Sequence, residues 1–147
     1  MKLTRLADYA VRAIVHLATK KEGELTTIAE IAEHQSIPSS FLAKVMQALS
    51  RGGIVRAHRG KTGGFTLIDE PENITIRMIV EAVEGPINLN RCLTKPGECS
   101  RDSFCGAHPV WREAQNALFS VLDRYTAAEM AQNQLSNIKK QASAKKS

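Results

Sequence analysis

Between Thr27 and Gly64 the chain is punctuated so closely that only a short series of elements fits. Thr27-x-x-Glu30 is a capping box, in which the threonine hydroxyl accepts from a backbone N–H while the glutamate reaches back. A helix therefore opens near Ile28 and carries Ile31 and Ala32. His34 to Ile37 allow one tight turn. Pro38-Ser39-Ser40 starts the next helix, since proline is tolerated where its missing N–H has no partner to lose. Leu42, Val45, Met46 and Leu49 give that helix an apolar seam, and Gly52-Gly53 ends it. Two β-like runs follow, at 54–57 and 65–68, joined by His58-Arg59-Gly60-Lys61-Thr62-Gly63-Gly64, a glycine-rich hairpin loop. Helix, tight turn, helix and two-stranded wing form the winged helix-turn-helix order.

The rest of the chain frames this unit. Residues 4–20 read as a helix with Leu6, Ala10, Ile14 and Leu17 on one stripe. A further helix is expected over about 75–84, stopped by Gly85-Pro86. A longer helix spans about 109–124, with Trp111, Ala114, Leu118, Val121 and Leu122 on one face. Thr126-x-x-Glu129 caps a short final helix. The expected fold is mainly α with a small β-wing, a winged helix-turn-helix domain plus a long dimerisation helix. Its parts are a DNA-binding domain at 1–85, a cysteine-rich loop at 86–107, the dimerisation and C-terminal helices at 108–135, and a basic disordered tail at 136–147.

Charge supports a nucleic-acid partner locally rather than globally. Of the net +5, Lys139, Lys140, Lys145 and Lys146 supply four, so residues 1–129 are nearly neutral. The 35 residues between Glu33 and Asp69, however, hold no carboxylate, yet carry Lys44, Arg51, Arg56, Arg59 and Lys61. A helix-turn-helix leads into the major groove with the start of its second helix. With the seam facing the core, Ser39, Ser40, Lys44 and Gln47 face outward, small hydroxyls and an amide suiting base edges and phosphates. The wing tip Arg59-Gly60-Lys61 suits a narrow minor groove. RGKTGG does not have the spacing of a P-loop. No convergent acid–base pair or activated nucleophile points to an enzyme.

Cys92, Cys99 and Cys105 are the only cysteines, and His108 follows at C-x2-H. An odd count leaves no complete disulfide framework. Thiolates at this density select zinc, copper(I) or iron–sulfur clusters over hard cations. The close-packed C-x2-C-x2-C run of electron-transfer ferredoxins is absent. Free thiols fit a reducing cytoplasm. The first helix is interrupted by Asp8 and Arg12, so it reads as amphipathic rather than as a signal peptide. No apolar run reaches the roughly 20 residues a membrane span requires.

Taken together, Met1-Lys2-Leu3-Thr4 with Tyr9-Ala10-Val11 and Ala13, the pattern from Leu49 through Arg59-Gly60 to Gly63-Gly64, the three-cysteine loop and Trp111-Arg112-x-Ala114 resemble one family. It is that of the bacterial winged-helix iron–sulfur transcriptional regulators, which include the cluster-assembly regulator and the nitric-oxide-sensing repressor. Only about the last dozen residues lie outside the resemblance. It implies a homodimer on a partly palindromic double-stranded operator, sensing nitric oxide, redox state or iron–sulfur status. The three cysteines would hold the cluster. For the fourth ligand the resemblance offers two residues: His108, as in members with a 2Fe–2S cluster, or Asp8 of the partner's first helix, as in the 4Fe–4S nitric-oxide type, which is favoured. A branch with glutamate and histidine on the first helix fits poorly, since Arg12 occupies the second position. Zinc held by the same residues, or a thiol redox switch, is the alternative.

Overall fold

The computed structural model describes residues 2–146; Met1 of the opening motif and Ser147 of the tail lie outside them. The order is α1 (Arg5–Ala18), α2 (Ile28–Gln35), α3 (Ser39–Arg51), β1 (Val55–His58), β2 (Gly64–Leu67), α4 (Ile76–Glu84), α5 (His108–Arg124) and α6 (Ala127–Lys145). Short 3-10 turns at Pro71–Asn73 and Arg91–Leu93 precede α4 and lie in the cysteine loop.

Helix α1 is the centre of the molecule. The Thr4 hydroxyl caps it by accepting from the Ala7 N–H at 3.3 Å. Ala7, Ala10 and Ala13 are fully buried, and small side chains on successive turns let α4 and α6 approach the α1 backbone closely. Ile14 and Leu17 continue the face into the main core, where Ile31, Leu42, Val45, Met46, Leu49, Ile74 and Ile79 meet. The seam expected on α3 is fully buried.

The turn between α2 and α3 is set by Ser36, at φ 54° in the left-handed region, where glycine is usual. Its N–H donates to the Ala32 carbonyl, and Ile37, also bonded to Ala32 at 3.0 Å, is buried beneath the turn. The wing pairs antiparallel with Val55 opposite Leu67 and His58 opposite Gly64. Each strand is displaced by about one residue from its expected run, because Ile54 is used as a buried link between Leu49 and Ile68 instead. Thr26 adds a bridge to Phe65, and a Cβ on Gly64 would lie 2.8 Å from the Thr26 carbonyl oxygen. Glycine is required there by close approach.

Two expectations are corrected. The last helix is not short, and the described part of the expected tail, 136–146, is not irregular, for α6 runs for 19 residues to Lys145. Both capping-box bonds of Thr126 and Glu129 form, and the segment has no glycine or proline but many alanine, glutamine and lysine residues, all good helix formers. The apolar face of α5 is also divided. Leu118 and Leu122, with Phe119, pack on Ala7, Val80 and Ile87, whereas Trp111, Ala114 and Val121 are exposed, as is Val110. Among the described residues no helix is long and apolar enough to cross a membrane.

Candidate metal centre and nucleic-acid interface

Helix α3 presents Ser39, Ser40, Ala43, Lys44 and Gln47 to solvent on the side opposite its seam. Its N-cap, Pro38, makes no side-chain capping bond. The first-turn N–H groups are thus open at an exposed helix N-terminus, where phosphate is favoured. In the wing, Arg59, Gly60 and Lys61 are all exposed at the tip, and Gly60 takes φ +112° to turn the chain. His58 Nε2 lies 2.9 Å from Thr66 Oγ1 and braces the two strands. Among the described residues Lys44, Arg56, Arg59 and Lys61 form no ion pair, so their charge faces outward uncompensated.

The second constellation sits between the end of α4 and the start of α5. The start of its loop is fastened by side chains from both flanking helices. Glu81 accepts from the Ile87 N–H at 3.2 Å and Gln115 from the Leu89 N–H at 2.9 Å. Inside the loop Asn90 caps the 3-10 turn that carries Cys92, accepting from the Arg91 N–H at 2.8 Å. Asp102 Oδ2 accepts from the Gly97 N–H at 3.2 Å, and the Cys105 N–H donates to the Arg101 carbonyl at 2.8 Å. All three cysteines are free and half-buried. They line a single cavity of about 470 Å³ with Asp102, His108 and Trp111. The Cys92 thiol is pushed above its ordinary range, first by burial and then by the Asp102 carboxylate and Cys99.

His108 is buried as the first residue of α5. Its Nε2 lies 2.7 Å from Arg112 Nη2. A guanidinium can only donate, so Nε2 accepts and the ring proton belongs on Nδ1. That nitrogen faces Asp102 Oδ1 at 3.7 Å, and both atoms are buried without a hydrogen-bond partner. Asp8, by contrast, is exposed in the first turn of α1, paired with Arg12 at 3.2 Å, and does not line the cysteine cavity of its own chain. Cys92, Cys99, Cys105 and His108 are therefore brought together and Asp8 is not. Asp102 and Arg112 were missed in the sequence. Their positions, three before Cys105 and one turn after His108, were the available signal.

A donor set of three thiols lining one cavity, with no competing cysteines elsewhere in the sequence, fits an iron–sulfur cluster or zinc by ligand softness. Residues 3–133 match the family described as Rrf2, iron-dependent transcriptional regulator. The chain belongs to the Rrf2 family. Among its Rrf2 relatives is the HTH-type transcriptional regulator NsrR of Bacillus licheniformis, 37% identical over 135 residues, covering 91% of this chain and 94% of the relative. The HTH-type transcriptional regulator IscR of Escherichia coli O1:K1 / APEC is 31% identical over 134 residues, covering 91% and 82%. Of solved structures, CymR of B. subtilis, the global cysteine regulator, superposes with TM-score 0.73 at 26% identity, over 90% of this chain and 98% of that one. T. potens IscR gives 0.72 at 25% identity, over 91% and 88%. This Rrf2 member is accordingly a DNA-binding transcriptional regulator of winged-helix fold and not an enzyme.

Proposed function

We propose that the chain acts as a homodimeric repressor whose operator binding is set by an iron–sulfur cluster on Cys92, Cys99 and Cys105, with Asp8 of a second copy as fourth ligand. When bound, such a cluster supplies iron that reacts with nitric oxide and responds to redox state and cluster supply. The observation that carries this reading is the single cavity lined by all three thiols. The choice of Asp8 is supported by the first helix, which resembles that of the nitric-oxide type, and by the higher identity to NsrR, 37%, than to IscR, 31%. A 4Fe–4S cluster fits that ligand set better than a 2Fe–2S cluster.

The dimer is supported by α5. Val110, Trp111 and Val121 are 58, 42 and 44% exposed, an apolar stripe with Ala114 that, among the described residues, no element of the same chain covers. A second copy on this stripe brings two recognition helices into fixed spacing, as two half-sites require.

Coupling to DNA runs through α1. Arg12 pairs with Asp8, donates to the Gln35 carbonyl at the end of α2 at 2.8 Å, and stacks 4.7 Å over Tyr9. Tyr9 in turn meets Phe41 of α3 edge-on at 5.2 Å. Asp8 engaged by a partner's loop releases Arg12, and the change reaches the helix-turn-helix through Gln35 and Phe41. Seven residues, Ser39, Ser40, Lys44, Gln47, Arg59, Gly60 and Lys61, make the DNA contacts.

Anaerobic purification with visible absorbance and iron, sulfide and zinc analysis tests the reading. Cys99→Ala is expected to abolish the absorbance, and Asp8→Ala to destabilise the chromophore more than His108→Ala. Holo-protein is expected to bind a duplex selected from a random pool more tightly than apo-protein at fixed salt. Zinc without sulfide, or equal affinity of both forms, sinks the proposal.

A further inference from the structure

We propose that Cys92, Asp102 and His108 form a second metal site, taking one divalent cation of the zinc class when the three-cysteine site is empty. It rests on the preceding reading only in that Cys92 is shared, which makes the two occupants mutually exclusive. One ligand atom from each residue lies within 4.8 Å of the other two. Tetrahedral zinc, with bonds of about 2.0–2.3 Å, places its ligand atoms about 3.3–3.8 Å apart. Asp102 Oδ1 and His108 Nδ1 already stand 3.7 Å apart, too far for a hydrogen bond to each other and buried without any other partner. A shared cation satisfies both.

The site also opens in its own direction. Cys92, Asp102 and His108 line a second cavity of about 570 Å³, to which Arg112 and Gln115 contribute and Cys99 and Cys105 do not. They therefore form the wall between this space and the three-cysteine cavity, and a cation can reach them without passing the other thiols. One thiolate, one carboxylate and one neutral imidazole balance a divalent charge, and sulfur with nitrogen favours a borderline metal over calcium or magnesium. The Gly97 N–H on Asp102 Oδ2 orients the carboxylate from outside the site.

Binding has a defined proton balance. The Cys92 thiol releases one proton to solvent, and the imidazole proton moves from Nδ1 to Nε2. Nε2 then carries a hydrogen, so the Arg112 guanidinium must turn away, as its exposed position allows. Arg112 thereby opposes cation binding.

The test is an anaerobic titration of reduced, cluster-free, full-length protein with cobalt(II), followed by displacement with zinc. One equivalent is expected to give a thiolate-to-cobalt absorption band, lost in Cys92→Ser. Asp102→Asn is expected to weaken binding on the order of tenfold or more. The Cys99→Ser/Cys105→Ser double variant should bind as the parent does, and Arg112→Ala more tightly. Circular dichroism confirms that each variant is folded. Parent-like affinity in Asp102→Asn, or loss of the band in the double variant, overturns the proposal. Cluster reconstitution of that double variant is read separately: its success counts against the three-cysteine cluster and leaves the cobalt result to judge this site.

Discussion

Arg12 of α1 donates from Nη1 to the Gln35 carbonyl, the last residue of α2, at 2.8 Å. The same guanidinium holds Asp8 through Nη2 at 3.2 Å. These bonds differ in weight. The Gln35 carbonyl lies at the helix-turn-helix corner and loses its side-chain donor in Arg12→Ala, at a cost of about 1–2 kcal/mol. The Asp8 pair is an exposed i,i+4 contact worth only about 0.3–0.5 kcal/mol. In cluster-free protein, Arg12→Ala should lower the thermal midpoint by several degrees while Asp8→Asn barely moves it. Equal losses in the two variants would show that Asp8, not Gln35, is the partner that matters for the fold.

Ser36 gives a prediction of opposite sign. A non-glycine residue at φ 54° carries roughly 1 kcal/mol of steric cost. Ser36→Gly keeps the turn and removes that cost, though a more flexible unfolded chain offsets part of it. The expected result is a stability in urea equal to or above the parent's, whereas Ser36→Val should lose at least about 1 kcal/mol. A clear loss in the glycine variant means that the Ser36 side chain contributes something beyond its backbone angle.

At the DNA surface, Lys44 and Arg59 project unpaired charge from two different elements. Each phosphate contact removed should lower the slope of log affinity against log salt by about 1. Lys44→Ala and Arg59→Ala are each expected to weaken binding to a non-specific duplex and flatten that slope, and the double variant to do both additively. Fluorescence anisotropy across a salt series reads it. An unchanged slope in both single variants moves the contact surface elsewhere.

Much of this was legible in the sequence for a physical reason: capping boxes, glycine pairs and the α3 seam act locally, and local signals survive in one dimension. The Thr27 hydroxyl caps α2, although Glu30 pairs with Lys20 instead of completing the expected capping box; with Gly52-Gly53 and Leu42 to Leu49 it placed the helix-turn-helix, and RGKTGG placed the wing. What the sequence hid depends on contacts between distant segments or on their absence. The apolar positions of α5 look uniform in sequence, yet only those meeting Ala7, Val80 and Ile87 are covered. Likewise the cysteines and His108 announced a metal centre, but the roles of Asp102 and Arg112 arise from how the loop folds onto α5. The length of α6 was hidden differently. Lysine-rich polar composition reads as disorder, while the same residues are good helix formers once a capping box nucleates them.

His16 supplies a pH signature. It is buried between α1 and α2, accepts from Gln35 Nε2 at 3.4 Å, stacks on His34, and has Nε2 3.6 Å from Glu30, which also pairs with Lys20. Burial first, and then Lys20, hold its pKa below the ordinary 6.5, against the opposing pull of Glu30. The folded state therefore binds this proton less readily than the unfolded chain. Stability from His16 is fully present above about 6.5 and is lost as pH falls from there toward the lowered folded value, with a slope of at most about 1.4 kcal/mol per unit. Glu30, held low by Lys20, loses its own contribution in a separate window below its ordinary 4.5. His16→Gln, neutral throughout, should flatten urea-derived stability between pH 6.5 and 5 and leave the steeper loss below 4.5 in place. A slope between pH 6.5 and 5 that survives the substitution shows that the titration does not belong to His16.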